Sequence, residues 1–154
     1  MFLLVVTAGC TVNPADCDPS VPDASALVKA RCLYSGEYER RAAAKQQILE
    51  EENRLNELFN EVYKALQSEL TATQADLDGS TSEHQALNDS VKTLLKELSR
   101  KGEQRQNVQA QMVQVEKDLE ALKSQPGVSA VQRSHQLSDL QVKINDLQQS
   151  VGLR

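Results

Sequence analysis

Residues 82–124 read SEHQALNDSVKTLLKELSRKGEQRQNVQAQMVQVEKDLEALKS. Within them His84, Leu87, Val91, Leu94, Leu98, Lys101, Arg105, Val108, Met112, Val115, Leu119 and Leu122 follow one another in alternating steps of three and four residues. A helix turns once in 3.6 residues, so this spacing holds all of them on one stripe, as in a coiled coil. The stripe is apolar except at His84, Lys101 and Arg105. Lys101 and Arg105 flank Gly102, which marks a soft or open place along an otherwise regular seam. The plainer account is a pair of long side chains that keep their charges in water at a wide spot. The spacing predicts one long helix over 82–124, capped by Ser80 or Thr81, with Glu83 favourably placed in its first turn.

Turn-forming residues bound this helix. Asp78-Gly79-Ser80-Thr81 precedes it and Pro126-Gly127 follows it. Upstream, Leu55, Phe59, Val62, Leu66, Leu70, Thr73 and Leu77 form a second stripe, so a first long helix is expected over 36–78, starting at the Glu37 and Glu39 cluster. Downstream, Leu137, Leu140, Ile144, Leu147 and Val151 form a third stripe, expected as a helix over 129–152 and terminated by Gly152. The expected fold is all-α. The two long arms on either side of Gly79 suggest an elongated antiparallel helical hairpin, with the third helix folding back into a three-helix coiled coil. The rival arrangement is an extended parallel rod that self-associates, with Gly79 and Gly102 tolerated inside it at about 1 kcal/mol each.

The 154-residue chain contains 3% aromatic residues and no Trp. Large aromatics dominate thick globular cores, so this composition favours thin helical packing. The formal charge of −5 gives no overall electrostatic footprint for nucleic acid or for anionic lipid, either of which would call for a basic face. No Gly-rich nucleotide loop and no nucleophile elbow is present. His84 takes a core position, His135 has no acidic or cysteine partner in register, and Glu50-Glu51-Glu52 reads as a solvated helix face. No catalytic residue, cofactor site, small-molecule substrate or metal site is expected.

The first 35 residues differ in kind. Asn13-Pro14, Asp18-Pro19-Ser20 and Val21-Pro22-Asp23 are turn or extended signals, and a short helix is expected over 25–33 with Asp23 as its cap. Three cysteines, Cys10, Cys17 and Cys32, fall here. Their spacing does not match a zinc site. Cys17 and Cys32 are the expected disulfide, which needs an oxidising compartment. Free thiols are the alternative.

Phe2 to Gly9 is a short apolar run that ends in small residues immediately before Cys10. Thr7-Ala8-Gly9-Cys10 resembles the cleavage site of bacterial lipoproteins, with Thr7 where that family usually carries Leu. The resemblance implies that residues 1–9 are a signal peptide, here without its basic n-region. It also implies that Cys10 is lipidated and becomes the first mature residue. Thr11, rather than Asp, after Cys10 resembles the outer-membrane class. The expected domains are then the signal peptide, a lipidated loop-rich head over 10–35, and the helices. The expected place is the bacterial envelope, facing the periplasm. The membrane is reached through the N-terminal lipid, and a protein partner or a second copy through the coiled coil.

In outline the chain is similar to the murein lipoprotein, a lipidated helical rod, although Gly152-Leu153-Arg154 lacks that family's terminal Lys. A structural or tethering role is expected. The alternatives are an accessory lipoprotein subunit of a secretion, efflux or conjugation machine, and a cytosolic coiled-coil scaffold with reduced Cys17 and Cys32.

Overall fold

The computed structural model describes residues 13–18, 25–75, 81–101, 105–124 and 128–153. Among them the protein is all-α, with no strand. A 3-10 turn at Pro14–Cys17 precedes five α-helices: α1 Ala26–Tyr34, α2 Glu37–Gln74, α3 Thr81–Arg100, α4 Gln106–Ser124 and α5 Ala130–Ser150. The signal peptide and Cys10 expected from the sequence lie outside the described residues. So do Asp78-Gly79-Ser80, Gly102 and Pro126-Gly127.

The chain divides into two compact units, Met1–Glu50 and Glu51–Arg154. In the first, the 3-10 turn packs on α1. Ser25, not Asp23, caps α1: its side chain accepts a hydrogen bond from the Val28 amide at 3.4 Å. The expected cap Asp23 lies outside the described residues. At the other end of α1, Gly36 takes φ +69°, a left-handed conformation suited to glycine, and its amide reaches the Leu33 carbonyl at 3.3 Å. α2 then starts at Glu37, within a residue of the start read from the sequence.

The second unit is built on one apolar cluster. Leu55, Phe59, Val62 and Leu66 of α2 join Leu87, Val91, Leu94 and Leu98 of α3. Val108, Val115, Leu119 and Leu122 of α4 join Leu137, Leu140, Ile144 and Leu147 of α5. These sixteen residues all belong to the stripes read from sequence. Leu70, Met112 and Val151 pack at the margin of the cluster. Burial removes roughly 25 cal/mol of unfavourable hydration per Å² of apolar surface, so the periodicity is also the energetic basis of this unit.

The expected single helix over 82–124 is corrected. α3 stops at Arg100 and α4 resumes at Gln106, so five helices replace the three read from the stripes and the short head helix. Lys101 and Arg105 are both exposed. Two charged side chains at successive stripe positions leave no apolar face to bury for one turn, and Gly102 between them has low helix propensity. Lys101 and Arg105 lie outside the two helices, and residues 102–104 between them are outside the described residues. α3 also begins one residue earlier than expected, so Thr81 lies inside the helix.

The last turn of α5 closes as a Schellman motif. Gly152 has φ +84°, its amide donates to the Gln149 carbonyl at 3.0 Å, and the Leu153 amide donates to the Gln148 carbonyl at 3.2 Å. Leu153 is buried, the apolar contact that commonly accompanies this motif.

Candidate functional site

Two clusters of side chains stand out, one in each unit. The first is the head. Cys17 and Cys32 form a disulfide with a Cα–Cα distance of 5.5 Å, and both are fully buried. The bond fastens the 3-10 turn to the last turn of α1. It closes a loop of 15 residues in sequence separation, worth about 3 kcal/mol by restricting the unfolded chain. Ion pairs support the same corner: Asp18 meets Arg41 at 3.5 Å, and Glu37 meets Arg40 at 2.7 Å. The Ser35 hydroxyl donates to the Cys32 carbonyl at 3.1 Å. The opposite side of α1 is apolar and open to solvent: Leu27 is 77% exposed, Leu33 58% and Tyr34 90%. Cys10, the third site residue read from sequence, lies outside the described residues.

The second cluster is polar and lies within the helical unit. Glu69 of α2 is fully buried. Its Oε1 accepts from Arg133 Nη2 at 2.8 Å and from Nε at 3.1 Å, a two-pronged contact with α5. Arg133 Nη1 also donates to the Leu122 carbonyl of α4 at 3.3 Å, and its Nη2 stands 3.1 Å from His84 Nδ1 of α3. One guanidinium therefore joins groups from all four helices of the unit. An arginine suits this role because its planar fork presents several donors at once. Glu69 Oε2 and His84 Nε2 are buried with no hydrogen-bond partner among the described residues. Thr73, one turn on, returns its hydroxyl to the Glu69 carbonyl at 2.8 Å.

This arrangement commits the carboxylate to a cation. The chemistry it supports is charge neutralisation and fastening between helices. His135 is exposed and apart from it. Glu50, Glu51 and Glu52 are exposed, as a solvated face requires. No group of three or more His, Cys, Asp or Glu side chains that could hold a metal ion occurs among the described residues.

Sequence reasoning missed Glu69 and Arg133. Glu69 carries a signal that could have found it, since it lies three residues after Leu66 and four before Thr73, on the stripe itself. Arg133 carries none, because its role depends on which helices meet. Glu97 is a lesser case. It is nearly buried and pairs with Arg100 at 2.6 Å and Arg54 at 3.0 Å. The Arg100 hydrogen bond holds its carboxyl below the ordinary carboxylate value.

No protein-family model matches this chain, and no curated protein or solved structure is detectably similar to it. Its role rests on its own residues. None of the helices among the described residues is long and apolar enough to cross a membrane.

Proposed function

We propose that this is a lipid-anchored protein of the bacterial cell envelope with a structural or tethering role. The observation that carries this reading is the Cys17–Cys32 bond. It accounts for two of three cysteines and leaves Cys10, which directly follows the small residues Ala8 and Gly9. A disulfide persists in an oxidising compartment such as the periplasm. An odd cysteine after an apolar run has a ready purpose there as the acylated residue. Two or more acyl chains anchor a protein stably, so the lipid is sufficient as an anchor.

The helices of residues 51–153 are read as an up-down-up-down antiparallel bundle, which refines the hairpin expected from sequence. Cross-helix contacts support this. Glu69 approaches His84 while Arg54 meets Glu97, so α2 and α3 run in opposite directions. Arg133 meets Glu69 while Tyr63 meets Gln148, which opposes α2 and α5. Arg133 meets Leu122 while Lys143 pairs with Asp118, which opposes α4 and α5. A shallow groove lined by Lys92 and Ser99 of α3 and by Gln109 and Glu116 of α4 fits the remaining pair. The function proposed for such a body is mechanical: it offers helical surface to a partner.

A second reading, an accessory subunit of an envelope machine, is favoured by Ile48 and Leu49. Both are about half exposed on the first part of α2, where a helix of a partner protein would cover them. The two readings differ in stoichiometry: a tether is abundant and self-associates, whereas a subunit co-purifies with one complex.

Metabolic labelling with radioactive palmitate in a bacterial host tests the anchor. The native chain incorporates label and fractionates with membranes, and Cys10→Ser incorporates none. Label that survives Cys10→Ser, or an unlabelled native chain, contradicts the proposal.

A further inference from the structure

The outer face of α1 has a composition and geometry that the tether alone does not explain. At about 100° per residue, Leu33, Ala30, Tyr34 and Leu27 occupy one continuous arc of roughly 120°. All four are exposed. Lys29 and Arg31 lie about 40° beyond the two edges of that arc, one on each side. Both are exposed, and α1 contains no acidic residue. Cys32 stands on the far side, fully buried against the 3-10 turn.

We propose that this face lies in the surface of an anionic phospholipid bilayer, with α1 parallel to the membrane plane. Leu27 and Leu33 enter the boundary between headgroups and acyl chains, and Tyr34 sits at headgroup level with its hydroxyl in water. Lys29 and Arg31 extend sideways to lipid phosphates while their methylene stems cover apolar surface. Cations on both rims of the apolar arc, with no acidic residue in α1, complement the phosphates of an anionic bilayer. The charge pattern therefore selects the lipid.

The disulfide makes the docking geometrically natural. This step rests on the acylation of Cys10. Cys10 and Cys32 are 22 residues apart in sequence, but the Cys17–Cys32 bond shortens the path. Seven residues of chain span at most about 25 Å, after which the bond adds 5.5 Å between Cα atoms. A lipid on Cys10 thus keeps α1 close to the headgroup layer whatever the rest of the chain does. The anchor raises the effective concentration of α1 at the surface and so adds to the affinity the face has by itself.

The chain contains no Trp, so Tyr34→Trp places a single indole on this face. The full chain carrying Cys10→Ser and Tyr34→Trp, unacylated and with its disulfide intact, is mixed with vesicles of phosphatidylglycerol and phosphatidylethanolamine. The indole emission is expected to shift to the blue and to be quenched by brominated lipid. Adding Lys29→Glu and Arg31→Glu is expected to lower the affinity of this signal for the vesicles by about tenfold or more. Adding Leu27→Asp is expected to abolish the quenching.

Two results overturn the proposal. One is an indole that remains in water while the chain sediments with vesicles, which would mean that another segment binds and that this face awaits a protein. The other is no association with these vesicles. Because the chain tested carries no lipid, these outcomes are independent of whether Cys10 is acylated in the cell, which palmitate labelling decides separately.

Discussion

Glu69 shows how one buried charge can serve packing. Its carboxylate is out of water, held by the Arg133 fork, and the fork continues to the Leu122 carbonyl and to His84. Removing one member of a fully buried pair costs about 3–5 kcal/mol, because the other charge is stranded. The Arg133 side chain is 18% exposed, so solvent relieves part of that penalty. Glu69→Leu is expected to destabilise the helical unit by about 2–3 kcal/mol in urea unfolding. Adding Arg133→Met is expected to recover at least half of the loss, since an apolar pair strands no charge. A double variant less stable than the single one would show that the guanidinium contributes through its other contacts.

Tyr63 gives a pH signature at the same scale. Its hydroxyl donates to Gln148 Oε1 at 2.9 Å, and burial pushes the phenol above its ordinary value. A raised acid favours the neutral form in the folded state. The associated stability is complete below the unfolded phenol value of about 10, and it is lost as pH rises through the folded value. Tyr63 is therefore expected to give a late step, above the ordinary phenol value, in a titration followed by tyrosinate absorbance. Tyr63→Phe should remove the late step, and a late step that persists would assign it elsewhere.

Among the elements, the stripes were legible in the sequence because each needs only its own helix. Leu87, Val91, Leu94 and Leu98 are buried wherever a partner comes from, and three-and-four spacing reports that directly. The break between Arg100 and Gln106 was half legible. Lys101, Gly102 and Arg105 marked a weak place, but whether the helix bends there or stops depends on what neighbouring helices offer to that turn. The cap of α1 was misread because Asp23 and Ser25 are both good caps, and two residues of shift lie within the ordinary uncertainty of a helix end. The Glu69–Arg133 contact was not legible, since residues 64 apart meet only through the packing of α2 and α5.

The disulfide is the element that allows the head to be ordered. Among the described residues, the first unit has little apolar core beyond Cys17 and Cys32, so losing the bond should loosen α1 locally. Cys17→Ser with Cys32→Ser is expected to lower hydrogen-exchange protection in α1 by up to about 100-fold, the equivalent of about 3 kcal/mol, while α3 to α5 keep theirs. Protection lost equally throughout the chain would contradict this, because the second unit has its own cluster.

For the whole molecule, the two units divide the work. Residues 51–153 hold a self-sufficient apolar cluster fastened by Arg133. The first unit holds the cysteines, the exposed face of α1 and the route to Cys10. Under the proposed function the first unit carries the anchor, and the second holds its own apolar cluster. It depends on the N-terminal chemistry more than on any other feature. The most direct test is the intact mass, without reduction, of the protein purified from bacterial membranes. The account predicts a chain that begins at Cys10, carries the added mass of acyl groups, and lacks the two thiol hydrogens of Cys17 and Cys32. A chain that retains residues 1–9, carries no lipid and has three free thiols would contradict it and would leave a cytosolic helical scaffold in its place.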